Sequence, residues 1–243
     1  MYQGGGSMKS KDSLLYICAP LNALVEGIYE ENIHFHEVLN HGNFGIGTFD
    51  DLDGEMVILN GIIYQITVEG RVNRIDDTAK TPYAIITFFH PMLFGELDSE
   101  TQYSHFLEWL NSLLPSPNIF YAIRIEGDFT RVRARSVPKQ ANYRPLADVV
   151  TGQSHLDFKN IRGTLAGFYT PDFMSSLSVP GHHLHFLSED IASGGHLIAC
   201  TPRRVRASIQ PIHRLELNMP LTADYLNLNF HRDLGADIDK IEK

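Results

Sequence analysis

Three of the chain's 12 histidines are spaced for metal chemistry. Residues 180–196 read Pro-Gly-His-His-Leu-His-Phe-Leu-Ser-Glu-Asp-Ile-Ala-Ser-Gly-Gly-His. Successive side chains of a β-strand point to opposite faces. His183 and His185 therefore share one face, and His182, Leu184 and Phe186 share the other. Ser193-Gly194-Gly195 has turn chemistry, so a second strand can begin at His196. Directly opposite Cβ atoms of a hairpin lie about 5 Å apart, which lets His185 face His196. Imidazole nitrogens bind zinc at about 2.1 Å. Three of them can share one cation and still leave positions open to substrate. A lone strand histidine is ordinarily a half-buried packing residue, so the third histidine after Gly-Gly carries the reading. His34-Phe35-His36 serves as a control. It has the same spacing, no third partner nearby and a helical turn after it, and is expected to be a surface pair. His182 lies on the wrong face for the metal and is expected to pack.

Other patterns are weaker. Asp51-Leu52-Asp53-Gly54-Glu55 resembles part of a calcium loop, but the rest of the twelve-residue pattern is missing. A turn leading into a strand at Glu55 is expected instead. Arg131, Arg133 and Arg135 alternate along one strand face. They form either a solvated stripe or a stripe of which one member meets an anionic substrate. Gly42, Gly45 and Gly47 do not make a GxGxxG fingerprint, and no GxSxG elbow exists. Cys18 and Cys200 form no CxxC pair. Two buried thiols in a reducing cytoplasm is the reading they support.

These residues need a β-rich scaffold. Short strands are expected at 14–18, 56–59, 62–68, 72–75 and 83–89, with Asn60-Gly61 as a hairpin turn. Helices are expected at 21–29, 100–114 and 146–150, with Pro115 stopping the second. Strands at 119–125 and 129–136 flank Gly127-Asp128, a second hairpin candidate. Further strands are expected at 156–169, 182–187, 196–201, 205–210 and 213–217. The tail from Tyr225 shows no clear pattern. The sum is an α+β protein with an extended mixed, barrel-like β-sheet core and a few flanking helices. Residues 1–13, with Gly-Gly-Gly-Ser, read as a flexible extension or expression scar. A soft boundary near Pro115 and Pro117 divides 14–114, an N-terminal α+β half, from 115–243, a β-rich half with the metal site and tail.

Composition narrows the partners. The 243 residues are 43% hydrophobic and 20% charged, which fits a globular protein rather than a disordered one. A formal net charge of -9 repels phosphate backbones, so nucleic acid is not an expected partner. No run reaches the roughly 18 apolar residues of a membrane span, and no membrane association is expected.

Six blocks, in order, resemble the bacterial alpha-acetolactate decarboxylase family over about residues 14–228. They are His-Gly-Asn-Phe-Gly-Ile-Gly-Thr-Phe (41–49), Leu-Asp-Gly-Glu-Met-Val-Ile-Leu-Asn-Gly (52–61) with Tyr64-Gln65, and Pro-Ser-Pro-Asn-Ile-Phe-Tyr-Ala-Ile-Arg (115–124). Arg-Ser-Val-Pro-Lys-Gln (135–140), Gly-Thr-Leu-Ala-Gly-Phe (163–168) and the three-histidine hairpin complete the set. The resemblance implies a zinc enzyme that converts 2-acetolactate to acetoin and carbon dioxide in acetoin or butanediol biosynthesis. It implies His183, His185 and His196 as ligands, Arg135 and Glu55 as active-site residues, and Thr48 close to the substrate. It matches a further glutamate of the tail to Glu242. It also implies a two-part fold and a homodimer.

The chemistry is coherent. Loss of carbon dioxide from (S)-2-acetolactate leaves two electrons on the hydroxyl-bearing carbon. The neighbouring ketone accepts them as a metal-stabilised enediolate if a divalent cation polarises its oxygen. Arg135 is expected to orient the substrate through its planar fork. Glu55, or Glu242, is expected to deliver the proton that makes (R)-acetoin, a role that burial favours. Thr48 is expected to bond a substrate or water oxygen. Two rivals remain on the same residues. One is a cupin-like three-histidine oxygenase or lyase, for which Glu189 sits at the offset of a fourth ligand. The other is a zinc-binding module without turnover.

Overall fold

The computed structural model describes residues 13–29, 33–141, 145–149 and 152–230. In chain order, the first half holds β1 (Leu14–Ile17), α1 (Leu21–Val25), β2 (Ile33–His34), α2 (Phe35–Val38), β3 (Phe44–Thr48), β4 (Glu55–Leu59), β5 (Ile62–Ile66) and β6 (Val72–Ile75). Next come β7 (Lys80–Thr81), β8 (Ala84–Thr87), β9 (Leu93–Leu97) and α3 (Tyr103–Ser112). The remainder is β10 (Phe120–Ser136), α4 (Leu146–Val149), β11 (Ser154–Thr170), β12 (Gly181–Ser188), β13 (Gly194–Ile212), β14 (Arg214–Leu217) and α5 (Ala223–Asn227).

The strands make two principal sheets. One has seven strands in the order β14-β1-β8-β3-β4-β5-β6, mostly antiparallel, with β14 parallel to β1. The other runs β10-β11-β12-β13-β9, and β10 also pairs with β13. That extra pairing closes β10, β11, β12 and β13 into a ring, the barrel-like element of an α+β fold. A core that includes Phe44, Val57, Ile66, Phe168 and Leu187 joins the two sheets. A second core fills the ring under α3, with Phe106, Leu110, Phe129 and Phe186 fully buried. The Asn60-Gly61 turn has φ of 53° and 78°. A tight hairpin turn needs such left-handed values.

Several expected boundaries move. Gly127-Asp128 is not a hairpin, because β10 runs unbroken from Phe120 to Ser136. Strands β11 and β13 flank it on both sides across that glycine. A Cβ on Gly127 would lie 2.1 Å from the Arg204 carbonyl oxygen, so the glycine allows a close strand approach and not a reversal. The strands expected at 196–201 and 205–210 are likewise one 19-residue strand. Helix α1 stops at Val25 rather than reaching Tyr29, since Gly27 takes φ 96° and turns the chain away. The tail from Tyr225 overlaps a short helix, α5, capped by the Thr222 hydroxyl.

Candidate metal centre

The β12–β13 hairpin sets His185 directly opposite His196, and β10 sets Arg135 opposite His196 on the other side. A single row across the sheet therefore carries Arg135, His196 and His185, with His183 two residues along β12. Two close approaches make the row possible. A Cβ on Gly167 of β11 would fall 2.0 Å from the His183 carbonyl oxygen. One on Gly195 would meet the Ala134 Cβ at 2.8 Å and the Arg135 carbonyl oxygen at 2.9 Å. Glycine at both positions lets the ligand strands pack against their neighbours.

All three histidines are buried, and one ligand atom from each lies within 4.8 Å of the other two. Their ring centroids are 4.9–5.2 Å apart. The Nε2 atoms of His183 and His185 are separated by 3.2 Å. Two nitrogens bound tetrahedrally at about 2.1 Å to one cation are roughly 3.4 Å apart, so the spacing suits a shared ion. His185 Nδ1–H donates to the Met56 carbonyl at 2.9 Å. That bond fixes the tautomer and turns the Nε2 lone pair inward, the usual arrangement behind a metal-binding imidazole. Burial holds the His185 pKa well below the ordinary histidine value, and the electrostatic influence of His196 adds to it. Burial does the same for His196, reinforced by the Arg135 cation. Both rings are neutral donors at neutral pH, as metal binding requires.

The second sheet supplies the rest. Strand β4 begins at Glu55, whose Oε2 lies 3.5 Å from His185 Nε2. Arg135 is 3% exposed and its Nη1 donates to Gln153 Oε1 at 2.9 Å. Its stripe-mates do not enter the site: Arg131 grips Asp157 at the surface and Arg133 is exposed. Thr48 stands opposite Glu55 and reaches the pocket, but its hydroxyl donates to the Gly54 carbonyl at 2.7 Å. That bond fixes the turn into Glu55. Glu242 lies outside the described residues.

His182 points away, with Nε2 2.7 Å from Asn111 Oδ1 of α3 and its ring edge-on to Tyr169. His36 is exposed and His34 half-buried, and the two rings stack at 5.2 Å. Among the described residues, His183, His185 and His196 form the one metal-capable cluster. Glu189, the fourth ligand of the cupin-like rival, is exposed and pairs with Arg162 Nε at 2.9 Å. Residues 51–55 form a turn into β4, as expected.

One pocket of about 610 Å³, counted with its open mouth, joins the three histidines, Arg135, Glu55 and Thr48. Its far wall is apolar, with Leu21, Leu24 and Val25 from α1 beside Leu52, Tyr83 and Val137. Sequence reasoning did not assign that wall, nor Gln153 and the Met56 carbonyl. The helical stripe at 21–28 was visible, but nothing local says where it docks.

The chain resembles known proteins over nearly its full length. The family model for alpha-acetolactate decarboxylase matches residues 15–232. An alpha-acetolactate decarboxylase of Methanosarcina mazei is 37% identical over 95% of this chain and 80% of its own. One of Bacillus subtilis is 35% identical over 95% and 91%. The crystal structure of alpha-acetolactate decarboxylase from Bacillus subtilis strain 168 superposes with a TM-score of 0.92, at 35% identity, covering 95% of this chain and 99% of that one. A Staphylococcus aureus structure described as a protein of unknown function similar to alpha-acetolactate decarboxylase gives 0.87 at 27% identity, over 94% and 98%. Matched by the family model across residues 15–232 and by close relatives in sequence and in fold, the chain belongs to the alpha-acetolactate decarboxylase family.

Proposed function

We propose that this chain is a zinc-dependent carboxy-lyase that converts (S)-2-acetolactate to (R)-acetoin and carbon dioxide, a step of acetoin and butanediol biosynthesis. The observation that carries the reading is the convergence of three buried imidazoles, a buried arginine and a buried glutamate on one pocket. His183, His185 and His196 would hold the cation, His185 through Nε2. When bound, the cation supplies Lewis-acid polarisation of the substrate ketone, so the electrons left by carbon dioxide have somewhere to go.

The protein's own groups do the rest. Arg135 donates from its fork to substrate oxygens, with Gln153 fixing the plane of the guanidinium. The amide partner orients that fork without placing a second carboxylate on it. Glu55 stands beside the ligands and delivers a proton to the carbon that has lost carbon dioxide, from one side only. Single-sided delivery gives one acetoin enantiomer. Glu242 is the alternative donor. The turn that carries Glu55 is held at three points: Thr48 to the Gly54 carbonyl, Gln65 to the Asp53 carbonyl at 2.8 Å, and the Gln140 N–H to the Asp51 carbonyl at 2.7 Å. The apolar wall keeps water away from the carbon being protonated. A cytoplasmic homodimer completes the proposal, and sedimentation of the purified protein tests the dimer.

The decisive experiment measures carbon dioxide release from racemic acetolactate together with metal content. Wild-type protein should evolve gas, form optically active acetoin and contain about one zinc per chain. His183→Ala should lose both metal and activity. Full zinc retention after replacing His183 and His196 together, or a wild-type protein that consumes oxygen with iron and makes no acetoin, would overturn the reading.

A further inference from the structure

Arg135 stands near the end of β10, and Glu55 opens β4. Ladder bonds set the spacing of side chains within a sheet, but β10 and β4 lie in different sheets. The distance between guanidinium and carboxylate therefore depends on contacts across the junction.

Ser136 makes such a contact. It follows Arg135, is fully buried and does not border the pocket. Its hydroxyl donates to the Ile66 carbonyl at 3.1 Å. Ile66 faces Glu55 across the β4–β5 ladder. The same carbonyl crowds Gly54, where a Cβ would lie 2.2 Å from its oxygen. One oxygen atom thus adjoins the residue after Arg135 and the residue before Glu55. The bond from the Gln140 N–H to the Asp51 carbonyl joins the same segments farther from both groups. A second hydroxyl repeats the arrangement. Ser154 is opposite Ser136 in the β10–β11 ladder, and its hydroxyl donates to the Val68 carbonyl. Ser154 follows Gln153, the amide that holds Arg135 Nη1. Both strands that hold the guanidinium therefore grip the 66–68 segment through a neighbouring serine.

We propose that Ser136 is a positioning residue for the reaction: its hydroxyl, through the Ile66 carbonyl, registers the Arg135 guanidinium against the Glu55 carboxylate. The inference rests on the decarboxylase reading. A substrate held by Arg135 then presents one face of its reacting carbon to Glu55, so the registry governs both rate and stereochemistry. Without the hydroxyl, the buried Ile66 carbonyl loses its donor, and the junction shifts to satisfy it.

The test compares wild type, Ser136→Ala, Ser136→Thr and Thr87→Val. It reads carbon dioxide release from racemic acetolactate, enantiomeric purity of the acetoin, zinc content and thermal midpoint. Thr87 is the control: it is fully buried, and its hydroxyl donates to the Leu14 carbonyl at 2.7 Å, away from the pocket. A misplacement of about 1 Å costs about 10²-fold in rate. Ser136→Ala should lower kcat per zinc-loaded chain by about 10–100-fold, raise KM less than it lowers kcat, and reduce enantiomeric purity. Ser136→Thr restores the donor and should recover most of both. Thr87→Val should lower the midpoint alone. The Gly194 N–H still holds the Gly70 carbonyl at 3.1 Å, so Ser136→Ala is expected to fold. If it does not, Ser136→Cys keeps the volume with a weaker donor and carries the comparison. A crystal structure of the variant should show Arg135 displaced relative to Glu55. A Ser136→Ala protein that loses midpoint alone, as Thr87→Val does, or that keeps the wild-type separation of Arg135 and Glu55, would make Ser136 a structural hydroxyl and overturn the inference. A wild type that releases no carbon dioxide would instead refute the decarboxylase reading, and the crystal comparison would still decide whether Ser136 sets that separation.

Discussion

Arg131, Arg133 and Arg135 share spacing and chemistry, yet only Arg135 is buried in the pocket. A buried guanidinium aimed at the reacting groups stabilises charge far more than one in water. Arg135→Ala should therefore keep its metal and lower kcat/KM by about 10²–10³-fold, measured as carbon dioxide release beside metal analysis. Arg131 lies at the surface, paired to Asp157 by Nε at 2.7 Å. Arg131→Ala should leave both turnover and thermal midpoint close to wild type, because solvent screens such pairs. A large activity loss at Arg131 would mean that the stripe acts as a unit. Gln153→Ala should raise KM more than it lowers kcat if the amide only orients Arg135, which steady-state kinetics can resolve.

Elements set the spacing of these residues, and glycines set the spacing of the elements. The Gly167 α-carbon packs where any Cβ would strike the His183 carbonyl at 2.0 Å. Gly167→Ala forces β11 and β12 apart and displaces His183. Overpacking of this kind costs about 1–3 kcal/mol. Because the shift falls on a ligand strand, metal affinity should drop about 10–100-fold, as when the support behind a ligand is lost. Denaturant unfolding and competitive zinc titration measure the two effects separately. Gly61→Ala is the contrast. Its Cβ would meet nothing within 4 Å, although the left-handed φ of 78° still strains it. It should lose some stability and leave metal affinity unchanged.

At the scale of the whole molecule, the centre ties two sheets together. The His185 N–H crosses to the Met56 carbonyl, and the Ser136 hydroxyl crosses to the Ile66 carbonyl at 3.1 Å. A cation held by His183, His185 and His196, as proposed, would stabilise that junction as well as the reaction. Free metal at about a thousand times its Kd adds roughly 4 kcal/mol to the folded state, and for a chain of this size that is about 8–16 °C in the melting midpoint. Chelation should lower the midpoint by that order, read by calorimetry, and His196→Ala should abolish the difference. The convergence of the three histidines was legible in the sequence because two-residue alternation and a Gly-Gly turn are local rules, and the family blocks marked Arg135 and Glu55, which line the same pocket. The Asn60-Gly61 hairpin and the core of α3 were legible for the same reason. Gly127 misled, since a glycine that admits a neighbouring strand has the same local signature as one that turns the chain. The sequence alone determined which residues could hold a metal and which family pattern they follow. Only the tertiary structure decided that Glu55 of one sheet meets His185 of the other, that Arg135 alone of three arginines turns into the site, and that Thr48 serves the turn. Those are contacts between segments distant in the chain, and packing, which no local pattern encodes, selects them.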